Sequence, residues 1–318
     1  MFNIEVPEDE LYKKLDTPFN KDFVKISLKD DPKKFCVMPQ SFVDLDLERI
    51  KNMEIFEDDV WVVTYPKCGT TWTQEMVWMI GHDLDYETSM EVLLDDRYPF
   101  LELNGIVPNY PKNMFEECIN LARPRYIKSH LPLFLLPDQL WTVKPKIIYT
   151  ARNPKDTAVS YYHHYHNMNG YQGTISDFIE TFVKDIMMYA PVNNHVIDFW
   201  NIRSQTNILF LFFEDMKRNL KQEVKKVMKF LDKDFTQNEI DKLCTHLSFE
   251  SIKKNKMINK EEDIKHLMSL EGREYNPEKY TFIRKGKVGG YKQELTKEAI
   301  EMLDEYIKKA EFDIEYQF

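Results

Sequence analysis

One stretch restricts this chain more than any other. Val60-Trp61-Val62-Val63, an apolar run of strand length, leads directly into Thr64-Tyr65-Pro66-Lys67-Cys68-Gly69-Thr70-Thr71-Trp72. Beyond it, Met76, Val77 and Ile80 recur at helical spacing. The pattern predicts a strand, a short loop with one glycine, and a helix opening on Thr70 and Thr71. Such a junction favours phosphate. The first helical N–H groups lack carbonyl partners, the helix dipole is positive there, and Lys67 adds a mobile charge. A nucleotide-triphosphatase loop carries its lysine after the last glycine of G-x-x-x-x-G-K-[ST]. Here Lys67 precedes Gly69 and no earlier glycine builds a long cradle, so that type of loop is a poor match.

Similar apolar runs recur at Arg125–Lys128, Lys146–Thr150 and Asn207–Phe213, separated by helical stretches. Near-continuous apolar strands alternating with helices predict an α/β fold with a central parallel sheet flanked by helices. Ligands in such folds collect at the carboxyl ends of the strands. Each run ends in polar residues: Lys67, then Lys128-Ser129-His130, then Arg152, then Glu214-Asp215. One composite site leaves that signature. No internal repeat or low-complexity linker divides the 318 residues, so a single domain over 1–318 is expected. Residues 1–50 read as an irregular arm with the first short strands, and 83–124 as helix pieces and a long connection. Two amphipathic helices are expected between Met216 and His246. The charged stretch 251–281, with Asn276-Pro277, reads as a mobile surface segment, and a last helix is expected from about Leu295.

The formal charge of −10 argues against a general nucleic-acid or membrane-surface binder, whose affinity rests on basic patches. The apolar run Ile208–Phe213 is too short to span a bilayer, and Met1–Glu8 lacks a basic region followed by an apolar one. Four scattered cysteines without a C-x-x-C suggest neither a disulfide framework nor a zinc site. A soluble cytoplasmic protein is expected. His163, His164 and His166 have no carboxylate or cysteine at ligand spacing, so no metal is expected.

Three further segments can carry chemistry. Arg152 offers a fork of donors matched to phosphate and Ser160 a short hydroxyl, although alone they read more readily as an arginine paired with Asp156 and a solvated serine. Arg284-Lys285-Gly286 joins two cations to a residue that lets backbone approach a ligand; in isolation it is also an ordinary solvated loop. His130, with an unperturbed pKa of about 6.5, suits proton removal from a hydroxyl, while a lone histidine after a strand is commonly structural.

Taken in order, these segments resemble the cytosolic sulfotransferases. Tyr65 to Trp72 is similar to their 5′-phosphosulfate loop, Y-P-K-S-G-T-T-W, with Cys68 in place of serine. Lys128-Ser129-His130-Leu131-Pro132 resembles K-T-H-L-P. Arg152 to Ser160 resembles the 3′-phosphate motif R-N-x-K-D-x-x-x-S, and Arg284-Lys285-Gly286, preceded by Phe282-Ile283, resembles the R-K-G-x-x-G segment that closes over the same phosphate. Residues 251–290 thus hold the mobile segment and the 3′-phosphate loop. The resemblance implies 3′-phosphoadenosine 5′-phosphosulfate (PAPS) as donor, adenosine 3′,5′-bisphosphate (PAP) as product and no required metal. The implied acceptor is a small, largely apolar phenol, steroid, alcohol or amine. It also implies in-line transfer with His130 as general base, Lys67 and Lys128 stabilising charge, and Ser160 restraining Lys67 until acceptor binds.

By the same resemblance the nucleotide is held by Lys67, Cys68, Gly69, Thr70, Thr71, Trp72, Arg152, Ser160, Phe213, Leu247, Phe249, Phe282, Ile283, Arg284, Lys285 and Gly286. The acceptor meets Phe100, Lys128, Ser129, His130 and His164. Several positions depart from the family pattern. Phe213 replaces the tyrosine before E-D-M, Leu247 the threonine of T-S-F, and His164 an aromatic of the acceptor pocket. In the dimer signature K-x-x-x-T-V-x-x-x-E, here Lys292 to Glu301, Lys297 replaces valine, which weakens the implied homodimer. Cys68, at a helix N-terminus beside Lys67, is expected to be acidic and reactive. Two other readings stand beside this one. The first is a lyase on the same scaffold, like the insect relatives that dehydrate retinol. The second is a Mg-dependent nucleotide kinase with Glu214-Asp215 as its metal-holding strand end.

Overall fold

The computed structural model describes residues 2–310 apart from 9–10, 16, 18–21, 108, 271 and 278–279. The chain opens with the expected short strands, β1 (Phe2–Glu5), β2 (Phe23–Leu28) and β3 (Phe35–Pro39), paired antiparallel in that order. They are more than an irregular arm. Phe23, Val24 and Ile26 of β2 and Cys36, Val37 and Met38 of β3 are buried in the main apolar cluster. The edge of β3 also pairs with a distant segment: Tyr189 N–H donates to Val37 O at 2.8 Å, and Val37 N–H to Ala190 O at 3.2 Å. This pairing fixes Tyr189, which lines the functional cleft.

The four apolar runs form a second sheet. Its strands are β4 (Val60–Val63), β5 (Tyr126–Ser129), β6 (Lys146–Ala151) and β7 (Ile208–Phe212), all parallel, in the order β5-β4-β6-β7. Every residue of β4 is buried, which explains the unbroken apolar run: both faces of the sheet are covered. Trp61 and Val63 face the cluster shared with the first sheet, while Val60 and Val62 pack with Met76, Val77, Ile80, Val224 and Val227 on the other side. From β4 the chain crosses first to β5 on one side and then to β6 on the other. A crevice opens at the carboxyl ends where that direction reverses.

Helix α1 (Thr70–Gly81) follows β4, and α2 (Pro154–Met168) follows β6. The start of α2 is set locally. The Asn153 side chain accepts from Lys155 N–H, and Pro154 sits at the first helical position, where its missing donor costs nothing. The amphipathic helices Leu220–Phe230 and Gln237–His246 lie where expected. Residues 249–270 differ from the mobile surface segment that their charge suggested. They form α3 (Phe249–Lys254) and α4 (Glu261–Leu270), and Ile252, Ile258, Ile264 and Met268 are buried. Four well-spaced apolar residues anchor this stretch despite its polar composition. The last described helix, α5 (Lys297–Lys308), begins two residues later than expected. No helix among the described residues is long and apolar enough to cross a membrane.

Candidate active site

The loop after β4 is built to leave donors open. Gly69, at φ 94°, is the N-cap of α1, and no side chain caps the helix, so the first N–H groups of Thr70, Thr71 and Trp72 face a cleft of about 230 Å³. A Cβ on Gly69 would stand 2.8 Å from the Phe213 ring, so glycine is required by both backbone and space. Lys67 also takes a left-handed conformation, at φ 67°. The turn is pinned from two sides: Thr64 and Thr70 hydroxyls lie 2.6 Å apart, and Arg152 donates to the Lys67 carbonyl at 3.1 Å.

Cys68 does not behave as expected. Its side chain turns inward, is fully buried, and meets Thr157 Oγ1 at 3.6 Å rather than the cleft. Burial pushes its thiol up to about 12, a hydrogen bond from Thr157 and the Arg152 charge opposing only in part. The dipole of α1 cannot activate a thiolate that has no access to solvent. Iodoacetamide should therefore leave Cys68 unmodified in the native protein, with or without nucleotide. Cys244, the one cysteine not fully buried, should be labelled first. Peptide mass mapping checks this, and early labelling at Cys68 would contradict it.

At the end of β5, His130 is fixed in one tautomer. A carbonyl only accepts, so the contact of His130 Nδ1 with Thr64 O at 2.8 Å places the proton on Nδ1. Nε2 keeps its lone pair, and the ring lines the cleft. The backbone is held as firmly: His130 N–H donates to Glu102 Oε1 at 2.6 Å, and His195 Nε2–H donates to His130 O at 2.9 Å. Phe100 and Tyr189 meet the imidazole edge-on, at 5.1 and 5.6 Å between centroids. Burial first, and then the Lys128 charge, push His130 well below its usual range, so the ring is neutral at pH 7. Lys128 Nζ lies 3.8 Å over the Phe100 ring; burial lowers it to about 8, against the pull of Glu102. Lys67 Nζ lies 3.8 Å over the Phe282 ring. Burial, then the charges of Lys128, Arg152 and Arg284, lower Lys67 to about 7.

Ser129, expected against the acceptor, points away. It is buried, donates to Glu102 Oε2 at 2.9 Å, accepts from Leu131 N–H at 3.0 Å, and does not line the cleft. Strand alternation is the cause: Lys128 and His130 share one side and Ser129 takes the other. Glu102 was missed in the sequence. Besides Ser129 and His130 it accepts from Tyr189 O–H at 3.3 Å, and burial raises its carboxyl to about 7. The neighbouring contacts of Phe100 and Leu101 with Lys128 set it beside the strand end.

The three histidines of α2 diverge. His164 lines the cleft, 6.0 Å from the Phe282 ring centroid, and is held neutral by burial and then by Lys67 and Lys128. His166 Nδ1 donates to Tyr171 O, while His163 pairs with Glu294. Among the described residues no three His, Cys, Asp or Glu side chains converge as metal ligands. Glu214 accepts Asn153 N–H through Oε1 at 2.9 Å, its Oε2 is buried without a partner among the described residues, and Asp215 pairs with Arg218.

On the far side of the α1 N-terminus lie the other cations. Arg152 donates to Lys67 O and, at 3.3 Å, to Lys287 O, while its Nε is buried without a partner among the described residues. The Arg152–Asp156 hydrogen-bonded pair considered from sequence is not formed. Asp156 instead accepts from Gly289 N–H at 2.7 Å and Tyr291 N–H at 3.0 Å. Ser160, Ile283, Arg284 and Lys285 line the same cleft. Trp72 donates its indole N–H to Leu247 O at 2.9 Å and meets Phe213 edge-on at 5.7 Å, making an aromatic wall with Phe249. Gly286, at φ 54°, brings the backbone against Phe249, where a Cβ would come within 2.8 Å of the ring.

The sequence matches the sulfotransferase domain over residues 57–313. The chain belongs to the sulfotransferase family. Among its relatives, luciferin sulfotransferase of Photinus pyralis is 39% identical over 278 residues, covering 83% of this chain and 74% of that one. Sulfotransferase 1C2 of Rattus norvegicus is 36% identical over 263 residues, covering 82% and 86%. Retinol dehydratase, solved with androsterone and the inactive cofactor PAP, superposes with a TM-score of 0.85 at 27% identity, covering 100% of this chain and 98% of that one. This sulfotransferase is thus a PAPS-dependent transferase of mixed α/β architecture, acting on small acceptors. Its cleft suits the nucleotide: open helical N–H groups, an unpartnered Arg152 Nε, and two glycines where backbone must come close. Family membership and the lysine before Gly69 leave the nucleotide-kinase reading without support.

Proposed function

We propose that the sulfuryl group is transferred directly to an acceptor hydroxyl or amine whose proton is taken by His130 Nε2. The observation that carries this is the Nδ1–H to Thr64 O bond, which commits the lone pair to Nε2 in a ring that lines the cleft with Lys67 and Lys128. When bound, PAPS supplies the activated sulfuryl group. Lys67, with the N–H groups of Thr70, Thr71 and Trp72, holds its 5′-phosphosulfate end. Arg152, Ser160, Arg284 and Lys285 hold the 3′-phosphate, and Trp72, Phe213, Leu247 and Phe249 take the adenine. Lys67, held in its charged form by the bound anion, and Lys128 place positive charge where negative charge develops, and Ser160 restrains Lys67 until the acceptor arrives. After proton transfer His130 keeps its Nδ1–H on Thr64, so the charged ring needs no rearrangement.

The acceptor end of the cleft is walled by Phe100, Ile106, Val159, Tyr161, Met188 and Tyr189, which favours a largely apolar alcohol or phenol. A second reading is favoured by the near full-length match to retinol dehydratase: an allylic alcohol of retinoid type, released as the dehydrated product. We place the protein in the cytoplasm. The lysine at position 297 of the dimer signature favours a monomer, since an ammonium is costly at an apolar contact unless its head reaches water. Sedimentation should give a monomer mass; a dimer lost on Lys297→Glu substitution would refute this.

The pH dependence of nucleotide binding tests the donor site. Lys67 titrates at about 7 without nucleotide, and an anion binds its charged form better. Affinity for PAP should therefore be fully developed below pH 7 and fall as pH rises above it, by up to about tenfold per unit. Lys67→Met should flatten this slope in calorimetric titrations. Wild-type affinity constant from pH 6 to 9, or no PAP binding, would count against the assignment.

A further inference from the structure

Away from the reacting centre, three donors converge on one carboxylate. Glu294, just ahead of α5, accepts from His163 Nε2 at 2.5 Å, Arg284 NH1 at 2.7 Å and Lys285 Nζ at 2.9 Å. Burial alone would raise its carboxyl, but the bonds from His163, Lys285 and Arg284 prevail and hold it at about 2. Glu294 is therefore ionised at any working pH. Arg284 and Lys285 line the cleft and Glu294 does not. A lysine has only its terminal ammonium to offer, so a Lys285 tip bonded to Glu294 is drawn away from the cleft. Arg284 gives up part of its donor fork to the same oxygen.

Glu294 is bonded to His163 of α2 but is not alone in docking this segment there. Asp156 accepts from Gly289 and Tyr291 N–H groups, and Arg152 reaches Lys287 O. Those contacts would remain without the carboxylate. We propose that Glu294 is an internal counter-ion that competes with the 3′-phosphate of the nucleotide for Arg284 and Lys285. It thereby sets the affinity for 3′-phosphorylated nucleotides. The inference rests on the reading of Arg284 and Lys285 as 3′-phosphate contacts. A phosphate monoester carries about −1.5 to −2 charges at pH 7 and so can outbid a single carboxylate. Its affinity is reduced by the bonds it must replace, or by repulsion if both anions share the cations. His163 stays with Glu294 during the exchange, so the half-enclosed carboxylate is never left without a donor.

The test is calorimetric titration of the wild type and Glu294→Gln with PAP and, separately, with adenosine 5′-monophosphate, which lacks the 3′-phosphate. Glutamine keeps the shape and still accepts from His163. The Kd for PAP should fall about tenfold in Glu294→Gln while that for the monophosphate stays within about twofold. Glu294→Ala should change in the same direction, and melting curves would confirm that both variants fold. Unchanged or weaker PAP binding by folded variants, with the wild type binding normally, overturns this inference alone. Equal changes for both nucleotides overturn it too, since they indicate a general effect on the site. Failure of the wild type to bind PAP would instead remove the reading of the donor site on which the inference stands.

Discussion

His130→Ala should lower turnover by about 10²- to 10⁴-fold while leaving the affinity for PAP nearly unchanged. The separation follows from placement. The imidazole sits at the acceptor end, between the edges of Phe100 and Tyr189, and among the described residues its side-chain bonds are to Thr64 alone. None of the cations assigned to the nucleotide leans on it. Because burial and then Lys128 hold His130 well below its usual range, it is in its base form throughout the neutral region. Wild-type activity should therefore lose its base only on the acidic side, as pH falls through that depressed value. The acid limb should disappear in the variant, whose residual rate comes from positioning and fixed charge. Steady-state kinetics with a calorimetric measure of PAP binding would show both effects. A variant with wild-type kcat would remove the histidine from the chemistry.

The second large effect is expected at Gly69. Alanine there must adopt φ 94°, and its Cβ would sit 2.8 Å from the Phe213 ring. The strain costs about 1–3 kcal/mol, and the ring cannot move without consequence. Phe213 packs edge-on against Trp72 and lies under the Arg152 guanidinium, 4.4 Å from its centre. Displacing it disturbs the adenine wall, the arginine and the open helix N-terminus together. Gly69→Ala should weaken PAP binding by about a hundredfold, with the melting temperature reduced but the fold retained. Tight PAP binding by this variant would mean that the loop tolerates a side chain and is not the close cradle described.

The sheet of β4 to β7 was legible because its strands are short apolar runs with no alternation, and their polar ends announced the site. The α1 start was legible because Gly69 and the two threonines stand where a helix must open. Burial direction was harder to read. Cys68 was placed correctly in the chain but wrongly in chemistry, since nothing local says that its side chain turns toward Thr157. Ser129 is different: the alternation of a strand already sets it opposite Lys128 and His130, and that signal was available. Glu102 lies 28 residues before the His130 backbone it receives, and Glu294 lies 131 residues from His163. Pairings at such separations depend on how the chain returns, which the local pattern does not record. Charge also hid packing: Ile252, Ile258, Ile264 and Met268 were outnumbered by polar neighbours but are buried.

The central claim is direct sulfuryl transfer by the His130–Lys67–Lys128 cleft, and product analysis tests it most directly. The protein would be incubated with PAPS and a panel of phenols, steroids, amines and retinol, and both nucleotide and acceptor products read by mass spectrometry. The account predicts PAP together with a sulfated acceptor in equal amounts, and both formed about 10²- to 10⁴-fold more slowly by His130→Ala. PAP released with a dehydrated alcohol would establish the lyase outcome on the same scaffold, and PAPS left intact with every acceptor would contradict the account.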